Sequence, residues 1–419
     1  MADRLVVVPT DPIDAYERAG YTYLERYFNP AGFFREVFAL SPREHGTRRA
    51  YGMTIRRVPA ERFTSALREI RPQVVRAYGG HWPCDLVCNH RLKDVPVVVS
   101  VHDPSPEAVH PSVRYADMVI CTSEAVRRRV LSMGVSASRT RVLPNRVDLS
   151  IFQPVRDEEK LRAVRERFPG GKLILHVGRK SKEKNIETVV KALAHLPKEY
   201  VAIFVGRGRC DPNSAPAMRR SFCADREVCA SYSEIAEAVG VSERCYCVPS
   251  VPNRELPVWY SMSDCMCTPS LWEGFGIVFI EAAACAAPIV TSDIAPMNEY
   301  LRHDESACLV REYQDPKALA AAIERACEDG GYRARLSGGA HEAAKPFAME
   351  VVDAQEVALY QEAIAMGGPT LARRVQVCAL QLADAARTSR LASIPRRWVG
   401  AAVRRLGAVL PHLLAVVTA

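Results

Sequence analysis

The chain has 419 residues, of which 48% are apolar and 25% are charged, so its composition is that of an ordinary globular protein. This composition excludes a disordered, collagen-like or coiled-coil chain, and the length suggests roughly two or three domains. The net charge of +8 is concentrated at the carboxyl terminus, because residues 370–419 carry eight arginines and a single acidic residue. The remainder of the chain is close to neutral, which argues against a nucleic-acid-binding protein.

Short apolar runs alternate with longer helical patterns along the chain. Most of the runs are unbroken, as expected for strands that are covered by helices on both faces of a parallel sheet. The alternation predicts an α/β, doubly wound architecture. The predicted strands are 5–8, 95–101, 118–121, 172–177, 201–205, 246–248, 265–267 and 288–291, and the predicted helices include 123–133, 185–196, 233–239 and 278–286.

A domain boundary is predicted near residue 150, where Pro144 and Pro154 precede a charged stretch and a new strand begins at Lys172. We therefore expect one α/β domain over residues 1–150, a second over 151–366, and a basic amphipathic helical tail over 367–419. The last apolar run of the tail has 14 residues and contains Pro411, so it is too short to cross a membrane, which takes about 20 apolar residues. Two interpretations of the tail stay open: a helix on an anionic membrane surface, and a solvated or domain-capping helix.

The 14 cysteines are scattered along the chain rather than grouped. Cys245 and Cys247, like Cys265 and Cys267, lie within predicted strands, and the two-residue spacer that is common in zinc sites does not occur. We therefore expect buried thiols and no metal site. The first residues do not resemble a secretory signal, which favours a reducing, cytoplasmic setting.

The first motif with chemical potential follows the predicted strand 172–177. Gly178 permits a tight exit from the strand, and Arg179 and Lys184 follow before a helix begins near Asn185. Side chains at the carboxyl end of such a strand point to the crevice where α/β proteins bind ligands. A guanidinium and an ammonium there suit a diphosphate, although a basic solvated loop would show the same pattern.

The second motif follows the predicted strand 265–267. Gly274 and Gly276 leave room for close backbone approach, and a helix that begins near Phe275 would offer free N–H groups to a phosphate. Glu273 lies in the loop and Glu281 lies in the helix. Two acceptors at this spacing could hold hydroxyl groups at two ends of one elongated ligand, such as a sugar and a ribose, or could be two surface acids beside a turn.

Together these motifs resemble the retaining glycosyltransferases of family 4, which have the GT-B fold. Glu273 and Glu281 match the paired-glutamate motif of that family, and Arg179 and Lys184 match its diphosphate-binding pair. The resemblance covers most of residues 95–320. It implies two Rossmann-like domains that face each other across a cleft, with the first domain binding the acceptor and the second binding the nucleotide sugar.

The resemblance also implies roles for individual residues. Glu273 would contact hydroxyl groups of the donor sugar and Glu281 the ribose, while Arg179 and Lys184 would neutralise the departing diphosphate. The remaining assignments are backbone N–H groups of Phe275, Gly276 and Ile277 for the sugar or phosphate, Val248 for the edge of the nucleobase, and His102 for the sugar near its reacting carbon. From the residues alone, His102 could equally be a core histidine at a strand end.

One departure from the family concerns the loop after the first strand. Many relatives have a paired-glycine loop there, whereas here Val8-Pro9-Thr10 runs on to a single glycine, Gly20. The acceptor-side loop is therefore unusual. Another histidine, His81, precedes Trp82 and could line the acceptor cleft.

These features predict a retaining hexosyltransferase that uses a UDP- or GDP-sugar as donor and needs no cofactor. The sequence has no Asp-x-Asp motif, which fits a metal-independent site in which protein cations replace a divalent ion. The acceptor would be a glycan, a lipid-linked molecule or a small molecule, and the basic tail suggests polysaccharide synthesis at the inner face of a membrane. A non-catalytic sugar-nucleotide-binding subunit and a sugar-nucleotide epimerase on the same fold stay open as alternatives.

Overall fold

The computed structural model describes residues 2–18, 21, 23–169, 171–206 and 226–388. Within these ranges the chain divides into two compact units. The first unit comprises the described residues among 1–121, 126–142 and 354–388, and the second comprises those among 122–125 and 143–353. Gly20 and residues 389–419 of the predicted tail lie outside the described residues.

The first unit is built on an eight-stranded sheet whose order is β3-β4-β2-β1-β5-β6-β7-β8. All neighbouring strands pair in parallel except β3 and β4, which are antiparallel. The strands are β1 (Ala2–Val8), β2 (Phe34–Ser41), β3 (Thr47–Ala50), β4 (Met53–Arg57), β5 (Val74–Tyr78), β6 (Val97–Val101), β7 (Met118–Cys121) and β8 (Thr140–Val142). The helices in the same part of the chain are α1 (Ile13–Arg18), α2 (Leu24–Phe28), α3 (Ala60–Ile70), α4 (Trp82–Asn89) and α5 (Glu124–Ser132).

The second unit is built on a six-stranded, fully parallel sheet of order β11-β10-β9-β12-β13-β14. The strands are β9 (Lys172–Val177), β10 (Tyr200–Val205), β11 (Cys245–Val248), β12 (Cys265–Thr268), β13 (Ile289–Ser292) and β14 (Cys308–Val310). The helices from here to the end of the described chain are α6 (Glu158–Arg165), α7 (Ile186–Leu193), α8 (Arg226–Ala238), α9 (Leu256–Met262), α10 (Ile277–Ala284), α11 (Met297–Tyr300), α12 (Pro316–Glu328), α13 (Gly330–Ala344), α14 (Met349–Met366) and α15 (Leu371–Thr388).

Strand β9 shows why unbroken apolar runs form this sheet. Leu173 and Leu175 pack into the core cluster on one face, and Ile174 between them packs into the cluster on the other face. A strand that is covered by helices on both faces needs apolar side chains at every position, so the periodicity of two disappears. The two parallel, helix-covered sheets confirm the predicted α/β fold class.

The boundaries of the two units differ from the predicted boundaries at residues 150 and 366. The chain passes to the second unit at residue 143 and returns to the first unit at residue 354, within α14. The return is fixed by contacts distant in sequence: Glu356 binds Arg76 of β5, and Val377 of α15 is buried in the core of the first unit. A boundary judged from Gly367, Gly368 and Pro369 cannot register such contacts.

The described part of the tail, α15, packs on the first unit. Asp384 accepts hydrogen bonds from Arg114 and from the hydroxyl of Tyr115, and Arg373 donates to the backbone carbonyls of Arg114 at 2.6 Å and Ala116 at 3.0 Å. Asp384 is the one acidic residue of the tail. Its two hydrogen bonds make a specific contact between α15 and the rest of the first unit. Across the described ranges, none of the helices has the length and apolar character needed to cross a membrane.

Candidate active site

The candidate site lies at the carboxyl edge of the sheet of the second unit. Strand β9 ends at Val177 and leads into the loop of Arg179 and Lys184, and the adjacent strand β12 ends at Thr268 and leads into the loop of Glu273. In parallel sheets this edge is where ligands bind. Adjacent strands therefore bring the two sequence motifs to one place although about 90 residues separate them.

Lys184 and Glu273 are in direct contact at this edge. The Lys184 ammonium binds the carboxylate of Glu273, and both side chains are buried. Ser270 donates a hydrogen bond of 2.8 Å to the same carboxylate oxygen. The backbone N–H of Leu271 donates to the carbonyl of Glu183 at 2.8 Å, so the two loops are also joined through their main chains.

Arg179 does not join this cluster. Its side chain is 68% exposed and its guanidinium donates to Glu183 at 2.9 Å. An exposed ion pair of this kind contributes little to stability, so the side chain is free to exchange Glu183 for a ligand anion at small cost.

Gly276 caps the amino terminus of α10 with φ of +81°, a conformation that favours glycine. The helix begins at Ile277, between the two starts that the sequence suggested, near Phe275 and at residue 278, and Glu281 lies about one turn into it. The loop before the helix is held through its carbonyls, since Ser123 donates to the carbonyl of Gly274 at 2.7 Å and Tyr300 to that of Phe275 at 2.8 Å. The first N–H groups of a helix have no partners within it. Those of α10 follow directly after the loop of Glu273.

The side chains of Phe275 and Ile277 point to different surroundings. The Phe275 ring is buried and stacks on Tyr300 with a centroid distance of 5.1 Å, whereas Ile277 is 38% exposed. A ligand could therefore use only the backbone of Phe275. This is consistent with the backbone role that the resemblance implies for it.

Glu281 is buried on α10 and accepts a hydrogen bond of 3.0 Å from the hydroxyl of Tyr260 on α9. Burial raises the pKa of Glu281 from its ordinary value of 4.5 to about 8, against the lowering effect of the Tyr260 hydrogen bond. The carboxyl group is thus held mostly protonated at neutral pH in the free protein. Tyr260 was missed by the sequence analysis, because only the packing of α9 on α10 brings the two residues together.

Lys180 is a second residue that the sequence analysis missed. It is 5% exposed, and its ammonium donates to the carbonyls of Gly206 at 2.9 Å and Val248 at 3.2 Å, at the ends of β10 and β11. The N–H of Gly206 also donates to the carbonyl of Val248 at 3.2 Å. The carbonyl of Val248 therefore has protein donors already, which leaves the neighbouring backbone for the proposed contact with a nucleobase. The sequence could not indicate that Lys180 is buried, because it lies in a run of basic residues that resembles an exposed loop.

His102 lies in the first unit, directly after β6. Its Nε2 atom is buried and has no hydrogen-bond partner among the described residues. Burial, with a further contribution from Arg76, lowers the pKa of His102 to about 4. The imidazole is therefore neutral at physiological pH, with one nitrogen as donor and the other as acceptor.

The loop after β1 carries the unusual sequence noted above. The Thr10 hydroxyl donates to the carbonyl of Tyr78, and the indole N–H of Trp82 donates to the carbonyl of Thr10 at 3.0 Å. These bonds fix Trp82 at the carboxyl edge of the sheet of the first unit. The guanidinium of Arg43 stacks over the Trp82 ring at 4.7 Å.

The described residues contain no group of three or more His, Cys, Asp or Glu side chains suited to binding a metal ion.

We expect Gly276→Ala to destabilise the protein by roughly 2 to 4 kcal/mol, because an added Cβ would combine a left-handed backbone with a clash. The Cβ would lie 2.5 Å from the Phe279 ring. Urea unfolding measures the change. Gly338→Ala is the matched control, since a Cβ there meets nothing within 4 Å. Equal stability of the two variants would contradict the assigned cap geometry.

The two helix-covered sheets have the GT-B fold. Residues 157–343 match the family model for glycosyl transferases group 1, and residues 6–151 match the model for glycosyltransferase family 4. The chain belongs to this family of glycosyltransferases, as the sequence predicted.

The most similar relatives include D-inositol 3-phosphate glycosyltransferase from Xylanimonas cellulosilytica, which is 32% identical over 251 residues. That match covers 59% of this chain and 57% of the relative, so the chain spans a little over half the length of the curated relatives that it matches. Among solved structures, HepE from Anabaena, in complex with UDP and glucose, has a TM-score of 0.69 at 17% identity and covers 86% of this chain and 100% of its own. Sucrose-phosphate synthase from Thermosynechococcus elongatus has a TM-score of 0.68 at 20% identity, with 87% and 100% covered. At these identities the structures show the fold alone.

Proposed function

We propose that this protein is a retaining, metal-independent glycosyltransferase that moves a sugar from a nucleoside-diphosphate sugar to an acceptor hydroxyl. The contact between Lys184 and Glu273 at the amino terminus of α10 carries the proposal. It places a buried cation, a carboxylate and free backbone N–H groups at one edge of a parallel sheet. A pyrophosphate linked to a sugar needs these three kinds of group together.

In this mechanism the charge that develops on the departing diphosphate is stabilised by fixed positive groups. Lys184 and the N–H groups of Gly276 and Ile277 supply them without reorganisation, and Arg179 adds a guanidinium once it leaves Glu183. Protein cations then do the work of a divalent ion. The acceptor hydroxyl attacks from the side of the leaving group and passes its proton to a phosphate oxygen, which preserves the anomeric configuration.

Four further parts of the chain hold the donor. Glu273, which the Lys184 ammonium and the Ser270 hydroxyl orient, accepts hydrogen bonds from sugar hydroxyls. Glu281 accepts the ribose hydroxyls and His102 contacts the sugar near its reacting carbon. The backbone around Val248 receives the nucleobase.

The test begins with the donor. A thermal-shift screen against UDP, GDP and their sugars should identify one base, because a ligand at 100 times its Kd adds about 2.7 kcal/mol of stability. UDP-glucose is the first compound, since HepE was solved with UDP and glucose. Transfer is then followed by NMR with EDTA present, and an α-linked product from an α-linked donor is expected.

The acceptor panel should contain inositol phosphates, because the relatives carry that name, and lipid-linked acceptors in anionic vesicles, because the tail is basic. Vesicle assays compare the full chain with a chain that ends at residue 388, which keeps α15. Higher turnover of the full chain would support cytoplasmic, membrane-proximal polysaccharide synthesis. An inverted product, or activity abolished by EDTA, would overturn the retaining or the metal-independent part. Binding without transfer would favour a non-catalytic subunit, and an altered free nucleotide sugar would favour an epimerase.

A further inference from the structure

A fully buried ion pair lies in the first unit, apart from the candidate donor site. Arg76 on β5 and Glu356 on α14 are 2% and 0% exposed, and their charged groups are in contact. The same guanidinium donates to the hydroxyl of Tyr360 at 2.8 Å. The ring of Tyr78 lies 4.4 Å from the guanidinium carbon.

The network continues into β6 and ends next to His102. Arg76 donates through Nε to the hydroxyl of Ser100 at 2.9 Å. Tyr78 and Ser100 are register partners on neighbouring strands, so their side chains share one face of the sheet. His102 directly follows β6, two residues after Ser100, and the charges of Arg76 and Glu356 act on its imidazole.

The pair holds α14 on the first unit, but an apolar contact could do the same. Burying two charges costs free energy that their attraction repays only in part, and apolar replacements of such pairs are often as stable or more stable. His102, two residues after Ser100, has a buried Nε2 atom without a hydrogen-bond partner among the described residues. The network would serve catalysis if the orientation and charge of the His102 imidazole affect the reaction.

We propose that Arg76, Glu356 and Tyr360 are positioning residues for His102: they fix the end of β6 through Ser100, and their charges set the electrostatic environment of the imidazole. The catalytic part of this inference rests on the proposed function, because it takes His102 to contact the donor. The effect of these charges on the pKa of His102 does not rest on the proposed function. A carboxylate on α14 would thus be needed by a histidine that lies more than 250 residues earlier in the chain.

The charges around His102 give the two partners opposite effects. The positive charge of Arg76 opposes protonation of the imidazole, and the negative charge of Glu356 favours it. The other titratable groups of the network are the phenols of Tyr78 on β5 and Tyr360 on α14, and burial raises the pKa of both. Asp103 follows His102 on its own loop.

The opposite signs allow a test that does not depend on activity. NMR of the imidazole signals, assigned with His102→Gln, follows the titration of His102. Arg76→Met should move the pKa of His102 upward by about half a pH unit or more, and Glu356→Gln should move it downward or out of range. The double variant Arg76→Met/Glu356→Gln guards against misfolding from a lone buried charge and should lie between them.

Activity measurements add the catalytic part. Glu356→Gln and Tyr360→Phe should lower kcat about tenfold or more, with the donor KM changed less than about twofold. The matched control is Asp353→Asn, which breaks another buried ion pair, with Arg146, one turn earlier on the same helix. Asp353→Asn should leave the His102 titration unchanged.

Shifts of the same sign in Arg76→Met and Glu356→Gln, or no shift in either, would overturn the proposal. Opposite shifts with unaltered kcat would overturn its catalytic part. A wild-type protein with no transfer activity whose His102 still responds with opposite signs would count against the proposed function and not against the network.

Discussion

Lys184→Met is expected to lower kcat/KM by about 100- to 1000-fold, which corresponds to about 3 to 4 kcal/mol of transition-state stabilisation. The substitution keeps the length of the side chain and removes a buried positive charge next to the proposed diphosphate. It also leaves the carboxylate of Glu273 without its counter-charge. Steady-state kinetics with the donor identified by thermal shift measures the loss.

The control for Lys184 is Lys182→Met, because Lys182 is an exposed lysine of the same loop. It should change kcat/KM less than about twofold, as expected for an exposed charge. Breaking a buried ion pair can unfold a protein, so Lys184→Met/Glu273→Gln serves as a second variant that removes both charges. It should recover thermal stability and stay inactive. Near-normal turnover of Lys184→Met would remove Lys184 from the mechanism.

Glu281→Gln is expected to stabilise the free protein at pH 8 while it weakens donor binding. Burial raises the pKa of Glu281 to about 8, so the folded protein keeps a proton that the unfolded chain releases above pH 4.5. The contribution of this group to stability is complete below pH 4.5 and is lost as the pH rises through 8, at up to about 1.4 kcal/mol per pH unit. Glutamine has no such titration. Between pH 5 and pH 8, the free energy of unfolding of Glu281→Gln should therefore rise relative to that of the wild type by roughly 3 to 5 kcal/mol. Urea unfolding at the two pH values measures this difference.

The same variant should raise the donor KM about 10- to 100-fold, because hydrogen bonds from a ribose to an ionised carboxylate contribute about 1.5 to 3 kcal/mol. In the wild type the donor KM should fall as the pH rises towards 8 and the carboxyl group ionises. In Glu281→Gln that dependence should disappear. Tyr260→Phe is the companion variant: it removes the hydrogen bond that lowers the pKa of Glu281, so the fall in KM should move to higher pH. A donor KM that does not depend on Glu281 would contradict the ribose assignment, whatever the stability result.

The proposed site divides into residues that local patterns could identify and residues that they could not. Glycines, cations and glutamates at fixed spacing after apolar runs identified Arg179, Lys184, Glu273, Gly276 and Glu281. The patterns could not show that Lys184 binds Glu273 while Arg179 stays exposed. Nor could they find Lys180, Tyr260 and Ser270. Each of these acts through a partner on another element, and nothing in its own neighbourhood in the sequence distinguishes it from an ordinary loop or core residue.

The tail is a second example. Its charge and its helical pattern were visible in the sequence, and its composition left a membrane surface and a domain cap equally open. In the described part of the tail, α15 packs on the first unit, since Val377 is buried and Asp384 binds Arg114 and Tyr115. For residues 389–419, both interpretations of the tail stay predictions.

The sequence by itself determined the α/β fold class and the family, and it supplied the two motifs of the proposed donor site, because apolar runs and short spacings are local properties of the chain. The tertiary structure alone decided that the chain returns to its first unit at residue 354, and that Glu356 meets Arg76 in the core of that unit. It also decided the charge state of the buried carboxyl group of Glu281 and of His102. The physical reason is common to all of these: desolvation and long-range pairing depend on what surrounds a side chain in space, and those neighbours come from parts of the chain that no local pattern connects.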